Sequence, residues 1–259
     1  MAVAAAILTL QIYFPAVMII ASALLCAISV VEILFFTNLN KNKFMVAAAS
    51  AFSAFAVLGN GFLKTDPGIM YVLFVMCMFA LFLAFHNSIK IEGMLATLIF
   101  PIFLSYSFKS LCDVTLANKK LFYILLILCW SAIADTGAYF TGVLFGKHKM
   151  SPEISPKKTY EGLAGGMFFS LVFAALLCLI YNSCLNSEVS YAAVLIATPV
   201  FVLVGVMGDL SASLIKRYCN IKDFGTVIPG HGGILDRFDS ILMIVPLCGK
   251  LIECLPLIK

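Results

Sequence analysis

Apolar runs of roughly 18 to 25 residues, each long enough to cross a hydrocarbon core of about 30 Å as a helix, recur along almost the whole of this chain. Eight such runs lie at approximately 14–36, 44–63, 68–85, 91–108, 121–145, 163–181, 191–209 and 234–256. The polar stretches between them are too short to build a soluble domain. Composition agrees: mean hydropathy is +1.07, 23 residues are Phe and only 12% are charged, against about a quarter charged in soluble domains. The chain therefore reads as an all-α, polytopic integral membrane protein of eight or nine transmembrane helices. A ninth would come from residues 2–13, "AVAAAILTLQIY", which are too short to cross alone and are set off by Pro15. The N-terminus has no basic region followed by a cleavage site, so it reads as a membrane segment rather than a removable signal peptide.

Lys and Arg in the connections orient the spans. The loops at 37–43, 146–162 and 210–233 carry Lys41 and Lys43; Lys147, Lys149, Lys157 and Lys158; and Lys216, Arg217 and Lys222. With eight spans all three fall on one side, which the bias of basic residues makes cytoplasmic. The loop at 182–190 has no Lys or Arg and falls on the other side, while 109–120, with Lys109, Lys119 and Lys120, runs against the pattern. The nine Cys contain no C-x-x-C pair and lie mostly in apolar runs, where Cys behaves as a small hydrophobe. Residues 1–120 read as N-terminal membrane helices nearly devoid of polar chemistry. Residues 121–259 read as the C-terminal part of the same membrane domain, where the polar chemistry is concentrated.

Three polar clusters carry that chemistry. In "WSAIADTGAYFTGVLFGKHK", Asp135 interrupts an apolar helix. An acid there costs about 2.5 kcal/mol or more on insertion, so it should face a cavity, a cation or a partner, or else be buried against Ser and Thr hydroxyls. Gly137, Ala138 and Gly142 would let another helix approach closely. In "KHKMSPEISPKKTYEGLAGG", two Ser-Pro steps break helical structure ahead of Lys157, Lys158 and a long apolar helix. Two lysines beside a helix N-terminus suit an anion, although a basic cytoplasmic loop would look the same.

The third cluster is "IKRYCNIKDFGTVIPGHGGILDRFDS", residues 215–240, with Asp209 ahead of it. The span at 191–209 is expected to end at Asp209, and the last span to start near Ile234 on the same membrane face. Asp236 and Asp239, three apart, would then share one face of a first helical turn. Acids at that position also favour the helix dipole. The surrounding cations call for more: carboxylates holding Mg²⁺, a metal-bound phosphate, and Lys and Arg neutralising the remainder suit a phosphorylated substrate. Glycines 230, 232 and 233 would let backbone N–H groups approach an anion, and His231 suits phosphate contact or positioning of an acid better than metal ligation.

The order Ser213, Lys216-Arg217, Lys222-Asp223, Gly225, Pro229, His231-Gly232-Gly233, Asp236-Arg237 and Asp239 resembles the signature of the phosphatidate cytidylyltransferases, or CDP-diacylglycerol synthases. The likeness extends upstream through "ISPKKTYEG" and "ADTGAYFTGVLFGKHK", covering roughly residues 130–240. It implies that CTP and phosphatidic acid give CDP-diacylglycerol and pyrophosphate, with Mg²⁺ required. On that reading Asp209 and Asp236 are metal ligands, with Asp239 and Asp135 as further candidates, Asp135 for a second cation or the lipid-head cavity. Lys216, Arg217, Lys222 and Arg237 meet phosphates together with Lys157 and Lys158, and Ser213, Asp223, His231, Gly232 and Gly233 line the substrate site. The expected partners are CTP, phosphatidic acid and membrane lipids, with no nucleic acid and a homodimer allowed. The expected location is the inner or plasma membrane of a bacterium, with the site facing the cytoplasm. The alternatives are a CTP-dependent lipid kinase, which would release CDP, and an anion transporter lined by Asp135 and the basic loops.

Overall fold

The computed structural model describes residues 15–59, 67–86, 90–117, 119–185, 188–225, 232–254 and 257–258. The proposed leading helix at 2–13 and His231 lie outside them. Helices stand at all eight positions marked by apolar runs. Five of them are long and apolar enough to cross a membrane: Ala16–Phe36, Ile91–Leu116, Lys120–Phe145, Tyr160–Ser183 and Tyr191–Tyr218. The chain is thus a predominantly helical membrane protein organised as two compact units.

The first unit comprises the described residues up to Leu116 together with Ile215–Phe238. Helix α1 (Pro15–Val31) runs into a π-helical turn at Glu32–Phe36. Asn42 caps α2 (Lys43–Leu58), its side chain accepting from the N–H groups of Phe44 and Met45. Then follow α3 (Pro67–Ala84) and α4 (Ile91–Leu116). Helices α1, α2 and α4 pack on one another around Cys26, Val30, Leu34, Met45, Ala49 and Phe108, all fully buried. The buried hydroxyls of Ser29 and Ser53 each donate to the carbonyl four residues back.

The second unit comprises Ala117–Leu214 and Asp239–Lys259. It contains α5 (Lys120–Leu128), a π-helical turn at Cys129–Ile133 and α6 (Ala134–Phe145). A two-stranded antiparallel hairpin follows, β1 (Lys149–Ser151) and β2 (Ser155–Thr159), with Lys149 opposite Thr159 and Ser151 opposite Ser155. Next come α7 (Tyr160–Leu185), α8 (Tyr191–Tyr218) and α9 (Leu235–Cys254), the last two contributing to both units. Helices α6 and α7 approach so closely that a Cβ on Gly166 would lie 2.6 Å from the Ala134 carbonyl, and one on Gly162 would lie 2.8 Å from that of Ala138. This is the small-residue packing expected of Gly137, Ala138 and Gly142, with the α7 glycines supplying the other half. Trp130 stacks on Phe201 at 4.1 Å and donates its indole N–H to Thr198 at 3.1 Å.

Two helices run past their expected ends. Helix α4 continues to Leu116 rather than stopping near residue 108, which places Lys109 inside a helix and in an ion pair with Asp113 one turn on. Helix α8 continues to Tyr218 rather than ending at Asp209, so Asp209, Ser213, Lys216 and Arg217 are helical rather than loop residues. It closes with Asn220 in the left-handed region at φ 55°, the Asn220 N–H bonded to the Arg217 carbonyl and the Ile221 N–H to that of Lys216. That pair of bonds is a Schellman termination, with Asn taking the place usually held by Gly.

Candidate functional site

In the first unit the signature residues gather around one carboxylate. Helix α8 delivers Lys216 from its last turn, and α9 delivers Asp236 from its first. Lys216 Nζ lies 2.8 Å from Asp236 Oδ1, with side-chain exposures of 15% and 6%. Asp236 Oδ2 accepts from the N–H groups of Phe224 at 2.8 Å and Gly233 at 3.1 Å. Phe224 is fully buried, and the Lys216 ammonium stands 5.3 Å from the centre of its ring, close enough for a cation–π attraction. The anion that meets the Gly233 N–H is therefore Asp236 itself.

Gly232 has φ +82°, a conformation that disfavours any side chain, and a Cβ there would lie 3.2 Å from Asp236 Oδ2 and 3.4 Å from Asp223 Oδ1. Arg217, Lys222, Asp223 and Arg237 are exposed on the same unit. The described residues of the signature thus bury one ion pair and leave further charges at the surface.

One member of this arrangement carries no mark in the signature. Glu32, in the π-helical turn after α1, is fully buried, and its two oxygens accept from the N–H groups of Ile234 and Leu235, each at 2.9 Å. The first half of the chain is therefore not featureless. The signal was available as a lone acid inside an apolar run, the same criterion that singled out Asp135.

In the second unit Asp209 is the centre. Its Oδ2 lies 2.6 Å from Lys158 Nζ, delivered by β2, and its Oδ1 accepts from Ser213 Oγ at 3.3 Å. Asp135, one residue into α6 beyond the π-helical turn, interacts electrostatically with both Asp209 and Lys158. It is exposed on the isolated chain rather than enclosed among hydroxyls. The hairpin is anchored to α7 at both ends of the cluster. Thr159 Oγ1 accepts from the Gly162 N–H as an N-cap, and Glu161 Oε1 lies 2.6 Å from His148 Nδ1. Lys157 is exposed beside Lys158. Asp239 is half-buried and accepts from the N–H of Ser240.

The donor set can be tested against Mg²⁺. Asp209 pairs with the Lys158 ammonium and Asp135 adds a second negative charge that acts electrostatically on both, and one or two carboxylates completed by substrate phosphates is a usual way of holding that ion. Among the described residues, no cluster of three or more His, Cys, Asp or Glu side chains forms a cage of protein ligands alone. Among the described residues, Asp236 accepts two backbone N–H groups at Oδ2 and the Lys216 ammonium at Oδ1.

Known proteins are similar to this chain over about half its length. Phosphatidate cytidylyltransferase of Bacillus subtilis (strain 168) is 45% identical over 120 residues, 46% of this chain and 42% of that one. The proteins of the same name from Staphylococcus saprophyticus and Haemophilus influenzae are each 42% identical, over 135 and 120 residues, or 52% and 46% of this chain and 50% and 41% of theirs. The matched region thus spans about half the length of these curated relatives or somewhat less. The Cytidylyltransferase family matches residues 1–255, nearly the whole sequence, and the chain belongs to that family.

Proposed function

We propose that this protein transfers the cytidylyl group of CTP to phosphatidic acid, forming CDP-diacylglycerol and releasing pyrophosphate at the cytoplasmic face of a bacterial membrane crossed by all eight helices. The observation that carries the reading is the Lys216–Asp236 pair at the centre of the signature turn, in a chain whose relatives are named phosphatidate cytidylyltransferase. Lipid substrate and membrane helices belong together, since phosphatidic acid would enter from the bilayer.

An oxygen of the lipid phosphate attacks the α-phosphorus of CTP, a new P–O bond forms, and the bond to the bridging oxygen breaks as pyrophosphate departs. A phosphate monoester with a second pKa near 6 is largely dianionic at neutral pH, so the nucleophile needs little help from a base. The barrier lies in bringing two anions together and in line, and fixed positive charge lowers it. Lys216, held between Asp236 and the face of Phe224, is a preorganised cation of this kind. Arg217, Lys222 and Arg237 add charge where phosphates would arrive, and Lys157 and Lys158 do so on the hairpin. Asp209 and Asp135 would hold Mg²⁺, with the carboxylate of Asp239 in the same unit as a further donor. The bound ion would neutralise charge on the triphosphate.

The test is a CTP assay on purified protein in detergent with phosphatidic acid, measuring pyrophosphate and CDP-lipid together. Equal amounts of both are expected. Release of CDP with a phosphorylated lipid would mean a kinase, and solute flux without CTP turnover would mean a transporter.

A further inference from the structure

Glu32 lies more than 200 residues from the turn it touches: Ile234 is 202 positions away and Leu235 is 203. A carboxylate fully buried inside an apolar helix is expensive unless something compensates it. Here both oxygens are bonded to the free N–H groups that open α9, where the positive end of the helix dipole also favours an anion. The π-helical turn that contains Glu32 shifts it out of the register a regular helix would impose, a distortion often found at functional positions.

The turn is shaped around this acid. A Cβ on Gly233 would lie 2.7 Å from Glu32 Oε1, and one on Gly225 would lie 2.9 Å from the same atom. A side chain at either place would push the carboxylate from its present position. Glu32 and Asp236 then share four described N–H groups, Ile234 and Leu235 going to Glu32, Phe224 and Gly233 to Asp236. Asp236 can meet Lys216 only while the turn keeps this shape.

We infer that Glu32 is a positioning residue for the signature turn: its buried carboxylate pins the start of α9 and so sets the Lys216–Asp236 pair in place. It acts through that pair and touches no substrate. Its catalytic consequence rests on the proposed cytidylyl transfer, whereas its structural part stands without it.

Glu32→Gln keeps the volume but turns an NH₂ group toward one of the two N–H donors. Two measurements follow on purified protein in detergent. The first is amide hydrogen exchange at Phe224 and at residues 233–236, where Glu32→Gln should exchange about tenfold faster or more, the scale set by losing a hydrogen bond to a charged acceptor. Exchange equal to that of the unaltered protein overturns the inference whether or not the chain turns over CTP. If Glu32→Gln fails to insert, Gly225→Ala presses a methyl group on the same carboxylate and should speed exchange at the same residues.

The second measurement is CDP-lipid formation by Glu32→Gln, Lys216→Met and the double variant. Glu32→Gln should cut turnover about tenfold or more on the same scale, and the double variant should be little worse than Lys216→Met alone, because the two act as one unit. Losses that multiply would mean that Glu32 acts independently of Lys216 and would overturn its positioning role. An unaltered protein that forms no CDP-lipid would overturn the cytidylyl-transfer reading, leaving the exchange result to decide on Glu32.

Discussion

Asp236→Asn is the sharpest perturbation of the signature turn, because it changes one atom type with almost no change in volume. Asp236 Oδ1 meets the Lys216 ammonium at 2.8 Å, while Oδ2 accepts two backbone N–H groups. Asparagine can keep its carbonyl oxygen on one of these sides only. With the oxygen left on the Phe224 and Gly233 N–H groups, its NH₂ faces the ammonium, donor against donor. Both side chains are mostly buried, and removing one partner of a buried pair costs about 3–5 kcal/mol, chiefly from the charge left uncompensated.

If that cost falls on the turn alone, even about 3 kcal/mol lowers the population of the ordered turn relative to displaced ones by roughly a hundredfold. CDP-lipid formation should fall by up to the same factor, while expression and membrane insertion are retained. Replacing both partners, Lys216→Met with Asp236→Asn, removes the unpaired charge while the amide oxygen still accepts from the Phe224 and Gly233 N–H groups, and should recover part of the thermal stability lost in Asp236→Asn. It should recover no activity. The assay is pyrophosphate and CDP-lipid release beside thermal unfolding in the same detergent. Near-normal turnover in Asp236→Asn at limiting Mg²⁺ would refute the reasoning, as would activity returning with stability in the double replacement.

Three further outcomes are expected. Asp209→Asn and Asp135→Asn should each preserve expression and lower turnover, with partial rescue by raised Mg²⁺ or by Mn²⁺ and a double variant little worse than the poorer single one; full activity in Asp135→Asn would return that acid to a structural role. Lys157→Ala with Lys158→Ala should raise the apparent KM for CTP, most through Lys158, whose partner is Asp209; unchanged CTP kinetics would leave these lysines as markers of topology. Thr198→Val should strand the indole N–H of Trp130, the only Trp in the chain, costing about 1–3 kcal/mol of stability read by thermal unfolding and shifting the emission of that single fluorophore.

The positions of the membrane helices were legible in the sequence because the requirement they answer is one-dimensional: enough consecutive apolar residues to match a hydrocarbon thickness. The polar signature was legible too, since charges that cost free energy near a membrane stand out against a background of Phe, Leu and Ile. Helix ends were less so. Lys216 and Arg217 announce that apolar sequence has stopped, but backbone hydrogen bonding does not stop with it, and α8 continues until Asn220 turns left-handed. The same polarity in residues 109–116 read as a loop and is a helix with a Lys109–Asp113 pair.

Only tertiary structure could decide which charges meet. The sequence holds Lys216 beside Arg217 and Lys222 with nothing to say that Lys216 takes Asp236, or that Lys158 takes Asp209. Glu32 is the extreme case. Its partners are backbone N–H groups, which every residue except proline possesses and which therefore leave no trace in side-chain identity. What betrays them is the absence of a Cβ at Gly225 and Gly233, and the reason for that absence is a carboxylate from the other end of the chain.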